Sequence, residues 1–260
     1  MFLIKLLSFL TMSDKIDGTI FVCSSSRMLK KIIPIIEDSN DDKIIYITSD
    51  IIGEIVDKNV NYVNNQQDAE KIIHKHYKSN NDFLISAYWP WKFSKKIVDL
   101  FLSNSVNFHP SPLPKDRGWY PHVHQIRNKT KSGVTLHKIS EDLDKGEILA
   151  ISHIDLKFPI TSGEAYEVLL NEMVKLFKNN WEKIKNKELK PLKQNQKGNF
   201  LSKFLLDTPE IIEINDDSPE ENILRIIASR NLNNKSYIKI RTNDGIEKFV
   251  HLNFTDDGII

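Results

Sequence analysis

Short apolar runs alternate with segments of helical apolar spacing over the first half of the chain. The run TIFVCSS (19–25) predicts a strand, SRMLKKIIPIIEDS (26–39) a helix and KIIYITS (43–49) a second strand. The alternation continues to VNF (106–108), which predicts an α/β protein. Because the strand runs are short and continuously apolar, we expect a mostly parallel sheet with helices on both faces.

The second half of the chain predicts two more strands, a long helix and a hairpin. Strands are predicted over 133–139 and 147–156, and a helix over 162–187. Two β-rich runs on either side of Asn-Asp-Gly predict a hairpin in 236–254. One face of the long helix is predicted to enter the core through Val168, Leu169, Met173, Leu176, Phe177, Trp181 and Ile184.

Changes in composition divide the chain into three predicted parts. Residues 1–17 start with an apolar stretch that is too short to span a bilayer and lacks a small-residue cleavage site, so we interpret them as an N-terminal extension. The α/β core is expected over 18–190, and a polar stretch at 190–198 is interpreted as a linker. Residues 191–260 are expected to hold short helices and the hairpin, whose apolar surface predicts pairing in a homodimer.

Charge and cysteine content exclude several classes of protein. The chain has 36 Lys and Arg against 35 Asp and Glu, so no net charge attracts nucleic acid or a membrane surface. The single cysteine, Cys23, excludes an internal disulfide and a Cys-rich zinc cluster, which fits the cytoplasm. Histidine pairs beginning at His74 and His122 lack metal-ligand spacing, so no metal is expected and we interpret them as hydrogen-bonded or surface side chains.

No motif for a dinucleotide, a phosphate loop or a serine nucleophile is present, so other chemistry must be sought. An amine that attacks a carbonyl group builds negative charge on oxygen and positive charge on nitrogen. The amide of Asn107 can donate a hydrogen bond to that oxygen, and His109 can transfer protons near neutral pH. Asp144 can raise the pKa of the histidine or accept the amine proton. The sequence leaves open which of His109 and Asp144 is the base.

Two motifs around these residues resemble the folate-dependent formyltransferase family. NFHPSPLPKDRG (107–118) is similar to the family's Asn-x-His followed by Ser-x-Leu-Pro-x-x-Arg-Gly, and GVTLHKISEDLDKGEIL (133–149) to its Gly-Val-Thr-x-His ending in Asp-x-Gly. The resemblance covers about 19–181 and implies a Rossmann-like formyltransferase fold. It also implies transfer of a formyl group from N10-formyltetrahydrofolate, with Asn107, His109 and Asp144 as catalytic residues. Pro112 departs from the family, where many members have leucine.

The resemblance further implies that the proline-rich loop between the two motifs holds the reduced folate. Its prolines restrict the backbone and stiffen the loop. For Arg117 a structural salt bridge remains an alternative, and His137 is interpreted as bracing the loop rather than as catalytic. The residues implied to bind the folate are Ser111, Leu113, Pro114, Arg117 and Gly118.

The acceptor is predicted from the segments around and after the core. Initiator-tRNA formyltransferases resemble this chain but add a basic domain, whereas EIIEINDDSPEE (210–221) is acidic, so no nucleic-acid partner is expected. GWYPHVHQIR (118–127) and the hairpin look like the dTDP-4-amino-4,6-dideoxyglucose members of the nucleotide-sugar branch, which serves surface-polysaccharide and O-antigen synthesis. A dTDP-linked amino sugar is therefore the implied acceptor. Residues suited to bind its base, sugar and pyrophosphate are Tyr88, Trp91, Lys92, Trp119 and Tyr120.

Several alternatives stay open on the sequence alone. The tryptophans can serve ordinary loop packing, and Lys92 can be a surface charge. The chain can also be a methionyl-tRNA formyltransferase-like enzyme, a deformylase, or a binding protein for nucleotide sugar or folate without turnover. Neither the nucleotide base nor the position of the amine on the sugar follows from the sequence.

Overall fold

The computed structural model describes residues 18–38, 43–50, 60–213, 220–232, 235–241, 245–252, 254–255 and 258–259. The predicted extension 1–17 and most of the predicted hairpin turn lie outside the described residues. The chain forms two compact units. The first comprises Met1–Asn107 and Lys178–Pro191, and the second Phe108–Phe177 and Leu192–Ile260.

Alternating strands and helices make up the first unit. They are β1 (Thr19–Ser24), α1 (Ser26–Glu37), β2 (Lys43–Thr48), β3 (Val60–Tyr62), α2 (Gln66–His76), β4 (Phe83–Ala87), α3 (Lys95–Leu100) and β5 (Ser105–His109). The strand order is β3-β2-β1-β4-β5. β1 pairs in parallel with β2 and β4, and β2 pairs in parallel with β3. This arrangement confirms the predicted parallel α/β sheet.

Burial explains why β1 and β4 of the first unit are largely apolar. All residues of β1 and β4 are buried, including Cys23. Phe83 of β4 packs edge-on against Trp181, with ring centroids 5.4 Å apart. A central strand of a sheet whose two faces are covered has no side open to water. Its sequence therefore lacks the alternation of apolar and polar residues that is typical of strands with one exposed face.

The second unit begins with the end of β5 and continues with short elements. They are β6 (Arg117–Gly118), α4 (Pro121–Asn128), β7 (Ser132–His137) and β8 (Ile148–Ile154). The order is β5-β7-β8, and β7 and β8 are antiparallel. α4 was not predicted from the sequence. It is only eight residues long, and it starts with proline after Tyr120, whose backbone is left-handed.

One long helix, α5 (Ser162–Lys185), contributes to both units. Its Phe177 packs against Phe108 in the second unit, and its Trp181 lies in the core of the first. Six of the seven predicted core positions are buried, but the prediction is wrong for Val168, which is exposed. Val168 lies at the edge of the apolar stripe, and Leu170 is buried in its place.

The C-terminal part of the second unit contains the predicted hairpin and helix. Its elements are β9 (Phe200–Leu201), β10 (Glu210–Glu213), α6 (Glu220–Ser229), β11 (Asn231–Leu232), β12 (Lys235–Ser236), β13 (Ile238–Arg241), β14 (Glu247–Phe249), β15 (Phe254–Thr255) and β16 (Gly258–Ile259). β13 and β14 pair antiparallel, and β10, which was not predicted, adds in parallel to β13. Ile238 and Leu252 are buried in a cluster with Ile227 of α6, whereas Phe249 is exposed.

Candidate active site

The end of β5 positions two of the predicted catalytic side chains. Asn107 and His109 are two residues apart on this strand, so their side chains leave it on the same side. His109 is the last strand residue and is buried, and Asn107 is half-buried. The chain then turns into the proline-rich loop.

His109 and Asp144 form a buried pair in the second unit. Nδ1 of His109 lies 3.5 Å from Oδ2 of Asp144, and Nε2 lies 2.9 Å from the carbonyl oxygen of Asp116. A carbonyl oxygen only accepts hydrogen bonds, so we assign a proton to Nε2. A neutral ring then directs the lone pair of Nδ1 towards the carboxylate. A second proton arriving at Nδ1 would be stabilised by Asp144.

Opposing effects set the pKa values of this pair. Burial lowers the pKa of His109 below its usual value of 6.5, and the Asp144 carboxylate offsets only part of that effect. Burial alone would raise the pKa of Asp144. The neighbouring His109 and His137 and the N–H of Gly118 outweigh burial and hold the Asp144 pKa well below its usual range. At neutral pH the imidazole is therefore largely uncharged and able to accept a proton, and the carboxylate is ionised.

His137, at the end of β7, contacts the other carboxylate oxygen. Its Nε2 lies 3.5 Å from Oδ1 of Asp144, and its Nδ1 lies 2.8 Å from the carbonyl oxygen of Lys138. Asp144 thus lies between two buried imidazoles. His137 belongs to the same motif as Asp144, but sequence spacing does not reveal this contact.

Two glycines allow the backbone to enclose Asp144. The N–H of Gly118 donates to Oδ2 of Asp144 at 2.9 Å. Gly118 has φ of 95°, and a Cβ there would overlap the carbonyl oxygen of Leu201. A Cβ on Gly146 would overlap the carbonyl oxygen of Lys138. The glycines of both motifs are therefore required by backbone geometry.

The mostly polar stretch 192–201, which we call the support segment, bonds to both loops of the candidate site. The amide of Gln194 donates to the carbonyl oxygens of Asp144 at 2.9 Å and Gly146 at 2.7 Å. Asn199 accepts from the N–H of Asp116 at 2.8 Å and donates to its carboxylate at 2.8 Å. The stretch 190–198, which the polar composition marks as a linker, contains the boundary between the two units at Pro191 and Leu192. These polar side chains bond to the loops instead of remaining solvated.

The predicted folate-binding loop is organised by internal hydrogen bonds. The hydroxyl of Thr135 donates to the carbonyl oxygen of Ser111 at 2.6 Å and accepts from the N–H of Leu113 at 3.1 Å. Ser111 and Leu113 are buried, and Pro114 and Gly118 are half-buried. Arg117 donates to two backbone carbonyl oxygens of the support segment, each at 3.4 Å, and makes no ion pair with a described residue.

Three of the predicted acceptor-binding residues lie in the first unit, in the loop after β4. Tyr88 has a left-handed backbone with φ of 55°. Trp91 packs edge-on against Trp89, with ring centroids 5.1 Å apart, and Lys92 is exposed. The loop therefore presents aromatic surface and one positive charge.

The other two predicted acceptor-binding residues lie in the second unit, between β6 and α4. The rings of Trp119 and Tyr120 are 6.0 Å apart and tilted, and both residues are half-buried. The N–H of Trp119 donates to the carbonyl oxygen of Leu201 at 3.1 Å. The support segment therefore also fixes the start of this loop.

His122 differs from the prediction of hydrogen-bonded or surface histidines. It is buried, and neither ring nitrogen has a hydrogen-bond partner among the described residues. Burial, followed by the nearby His124, lowers the pKa of His122 to about 4. Across the described part of the chain, no group of three His, Cys, Asp or Glu side chains is arranged to hold a metal ion. Within the same residues, no helix combines the length and apolar character needed to cross a membrane.

Known proteins share both the sequence and the fold of this chain. Methionyl-tRNA formyltransferase of Mesoplasma florum is 33% identical over 137 residues, which are 52% of this chain and 44% of that protein. The dTDP-4-amino-4,6-dideoxyglucose formyltransferase of Mycobacterium bovis is 33% identical over 90 residues, which are 35% of this chain and 38% of that protein. The chain thus spans about half the length, or less, of the curated relatives it matches.

A solved structure and a family match extend the comparison. The crystal structure of a 4-N formyltransferase from Francisella tularensis has a TM-score of 0.79 at 23% identity, covering 90% of this chain and 97% of that chain. At this identity the likeness establishes the fold. The family described as Formyl transferase matches residues 20–179, which is more than half of the chain. The chain therefore belongs to the formyl transferase family.

Proposed function

We propose that the chain transfers the formyl group of N10-formyltetrahydrofolate to the amine of a dTDP-linked 4-amino-4,6-dideoxy sugar. The observation that carries the proposal is the buried contact between His109 and Asp144. His109 follows Asn107 by two residues on β5. An amide donor, an uncharged imidazole and an ionised carboxylate are the groups that acyl transfer to an amine requires. These side chains therefore fit a formyl donor.

The proline-rich loop is proposed to hold the folate through Ser111, Leu113, Pro114, Arg117 and Gly118. When bound, the folate supplies an activated formyl group. Asn107 donates a hydrogen bond to the oxygen on which negative charge develops. The loss of one such donor costs about 3 kcal/mol in comparable sites.

His109 is proposed to accept the proton of the attacking amine at Nδ1. It then returns this proton to the folate nitrogen, which leaves as a neutral amine when its bond to the formyl carbon breaks. Its Nε2 proton is held by the carbonyl oxygen of Asp116, and the resulting imidazolium is stabilised by Asp144 3.5 Å away. His137 and the N–H of Gly118 fix the carboxylate in this position. Asp144 therefore acts on the ring rather than on the substrate in this proposal.

The names of two relatives support an amino-sugar acceptor, and the positive charge of Lys92 suits its pyrophosphate. One relative is named for dTDP-4-amino-4,6-dideoxyglucose, and the structural neighbour is called a 4-N formyltransferase. Tyr88, Trp91, Trp119 and Tyr120 are proposed to contact the base and sugar, and Lys92 the pyrophosphate.

Methionyl-tRNA is the second candidate acceptor, because the Mesoplasma florum relative is named for it. Binding of tRNA requires a surface of unpaired cations. Near the acidic run, Glu210 pairs with both Arg127 and Arg230, at 2.7 and 2.8 Å. Neutralised cations at this position favour the amino sugar over tRNA.

A single assay separates these acceptors. The protein is incubated with N10-formyltetrahydrofolate and, in parallel, with dTDP-4-amino and dTDP-3-amino sugars, a UDP-amino sugar and methionyl-tRNA. We expect a mass gain of one formyl group on a dTDP-4-amino sugar. Transfer to tRNA alone would contradict the acceptor, and release of formate without any acceptor would contradict formyl transfer itself.

We also propose a cellular setting and an assembly. A cytoplasmic site of action fits the single buried cysteine, and the acceptor fits synthesis of a surface polysaccharide such as O-antigen. The proposed catalytic core spans 18–190. Residues 191–260 are proposed to mediate a homodimer through the hairpin of β13 and β14, where Phe249 is exposed.

A further inference from the structure

The ring of His109 lies between two hydrogen-bond acceptors. Its Nε2 is 2.9 Å from the carbonyl oxygen of Asp116, and its Nδ1 is 3.5 Å from Oδ2 of Asp144. A neutral imidazole has one proton and can donate it to only one of them. The carboxylate is the stronger acceptor because it is charged, but its contact is the longer one. Which nitrogen carries the proton therefore depends on how firmly the carbonyl group of Asp116 is held beside Nε2.

The backbone conformation of Asp116 needs support from its surroundings. Asp116 is buried and has φ of 52°. This left-handed conformation is unfavourable for residues other than glycine, although Asp and Asn tolerate it best. Contacts around Asp116 must therefore keep its carbonyl group in place.

Asn199 of the support segment bonds to both peptide groups of Asp116. Its Oδ1 accepts from the N–H of Asp116 at 2.8 Å, and its backbone oxygen accepts from the N–H of Arg117 at 3.3 Å. The N–H of Arg117 and the carbonyl group of Asp116 belong to one planar peptide group and point in opposite directions. The bond to this N–H therefore directs the carbonyl oxygen towards His109.

The side-chain amide of Asn199 also bonds to the side chain of Asp116. Its Nδ2 donates to Oδ1 of the Asp116 carboxylate at 2.8 Å, while its Oδ1 accepts from the backbone. An amide supplies the donor and the acceptor that this arrangement needs on one short side chain. Because Asp116 is buried, loss of the amide would leave its N–H and its carboxylate without this partner.

The backbone on either side of Asn199 is fixed by contacts that do not involve its side chain. Phe200 pairs with Arg117 in the register of β6 and β9. A Cβ on Gly198 would overlap the carbonyl oxygen of Pro114, so this glycine lets the support segment approach the proline-rich loop. A substitution of the Asn199 side chain should therefore leave the path of the segment unchanged.

We propose that Asn199 is a positioning residue that keeps the proton of His109 on Nε2. It holds the carbonyl group of Asp116 beside Nε2 and so leaves Nδ1 without a proton. In the absence of the amide, the Asp144 carboxylate attracts the proton to Nδ1, and the ring can no longer accept one there. The effect on turnover rests on the proposed function, whereas the position of the proton does not.

Nitrogen NMR of the histidine rings measures the position of the proton directly. At about pH 8 the ring of wild-type His109, assigned by comparison with His109→Gln, should have a protonated Nε2 and an unprotonated Nδ1. Asn199→Leu removes both side-chain bonds at similar size, and it should shift the ratio of the two tautomers towards Nδ1 by about five- to tenfold. Asn195→Leu makes the same change at another exposed position of the segment and should keep the wild-type ratio.

Steady-state kinetics measure the consequence for turnover. Asn199→Leu should lower kcat about tenfold with KM changed little, and Asn195→Leu should change neither quantity. Asn199→Asp keeps the acceptor for the N–H of Asp116 but places two carboxylates side by side, so it should also lower kcat.

A reciprocal exchange of the two side chains provides the rescue. Asp116→Asn, added to Asn199→Asp, restores one amide and one carboxylate with their places exchanged, and Asn also tolerates the left-handed backbone. The double variant should regain kcat to within about threefold of the wild type. A purely structural role of Asn199 would change the melting temperature of Asn199→Leu without changing the tautomer of His109.

Two results would overturn the proposal. The first is a proton that stays on Nε2 of His109 in Asn199→Leu, or in Asn199→Asp if the leucine variant does not fold. The second is a wild-type ring that carries its proton on Nδ1. Absence of formyl transfer by the wild type would contradict the proposed function instead, and the NMR measurement would still decide whether Asn199 positions the proton.

Discussion

The proton transferred through His109 makes activity depend on pH in a defined direction. Because burial lowers the pKa of His109, we expect kcat/KM to be constant above about pH 7 and to fall at lower pH as the ring becomes charged. In Asp144→Asn, loss of the carboxylate removes an effect that raises this pKa. The midpoint should therefore move to lower pH, and the plateau rate should fall by about 10³-fold.

A pH-rate profile of the purified variants measures both effects. Asp142→Asn is a matched control, because Asp142 is exposed and its carboxylate forms an ion pair with Lys145 at 2.6 Å. It should keep the wild-type rate and midpoint. A normal plateau rate in Asp144→Asn, or in a folded His109→Ala variant, would contradict the catalytic assignment.

The buried His122 makes stability, rather than activity, depend on pH. Its pKa is about 4 in the folded protein and near 6.5 in the unfolded chain, so only the unfolded chain takes up the proton between these values. Stability should therefore fall as pH decreases from 6.5 to 4, by ~2 kcal/mol at pH 5 from this group alone. His122→Phe should remove that loss.

Urea unfolding at pH 7 and pH 5 measures this difference. His251→Gln serves as the control, because His251 is exposed. The control should lose as much stability on acidification as the wild type. Equal acid sensitivity of His122→Phe and the wild type would show that another group is responsible.

At the scale of elements, the support segment should affect turnover without touching the substrate. Gln194→Ala removes the donor that holds the carbonyl oxygens of Asp144 and Gly146. We expect kcat to fall about tenfold with KM changed little, and stability to fall by ~1 to 2 kcal/mol. Gln196→Ala, at an exposed position of the same segment, should change neither quantity.

Steady-state kinetics and thermal unfolding of the two variants provide the measurement. A loss of stability in Gln194→Ala without any loss of kcat would mean that the segment supports the fold but not the catalytic geometry. Restoration of kcat by Gln194→Asn is not expected, since the shorter side chain cannot reach both carbonyl oxygens at 2.9 and 2.7 Å.

Elements differ in how far the sequence predicts them, for physical reasons. β1 and β4 were predicted because strands that are buried on both faces form short, nearly continuous apolar runs. α4 was missed because eight residues are too few to establish a helical period. The proposed catalytic trio was predicted through its spaced motifs. Gln194 and Asn199 were missed, since their bonds join residues 50 and 83 positions apart and polar side chains in such a stretch usually remain solvated.

For the whole molecule, the exposed part of the hairpin predicts an assembly. Ile238 and Leu252 are buried within the second unit, but Phe249 has 60% of its surface exposed. We expect the wild type to be a dimer at micromolar concentration and Phe249→Glu to be a monomer, because a buried charge at an interface is unfavourable. Light scattering coupled to size exclusion measures the mass directly.

Phe204→Glu is the control for this prediction, since Phe204 is equally exposed but lies outside the hairpin. It should leave the dimer intact. A monomeric wild type would contradict dimerisation, and dissociation by Phe204→Glu alone would place the interface elsewhere on the second unit.

The support segment also sets the smallest portion of the chain that protein engineers can transplant. The family match ends at residue 179, yet the amides that hold both catalytic loops come from residues 194 and 199. A chimera whose junction lies at residue 179 would contain His109 and Asp144, but it would lack the amides that bond to the loops around them. A graft that extends through β9 would include these amides, together with the residues proposed to bind the acceptor.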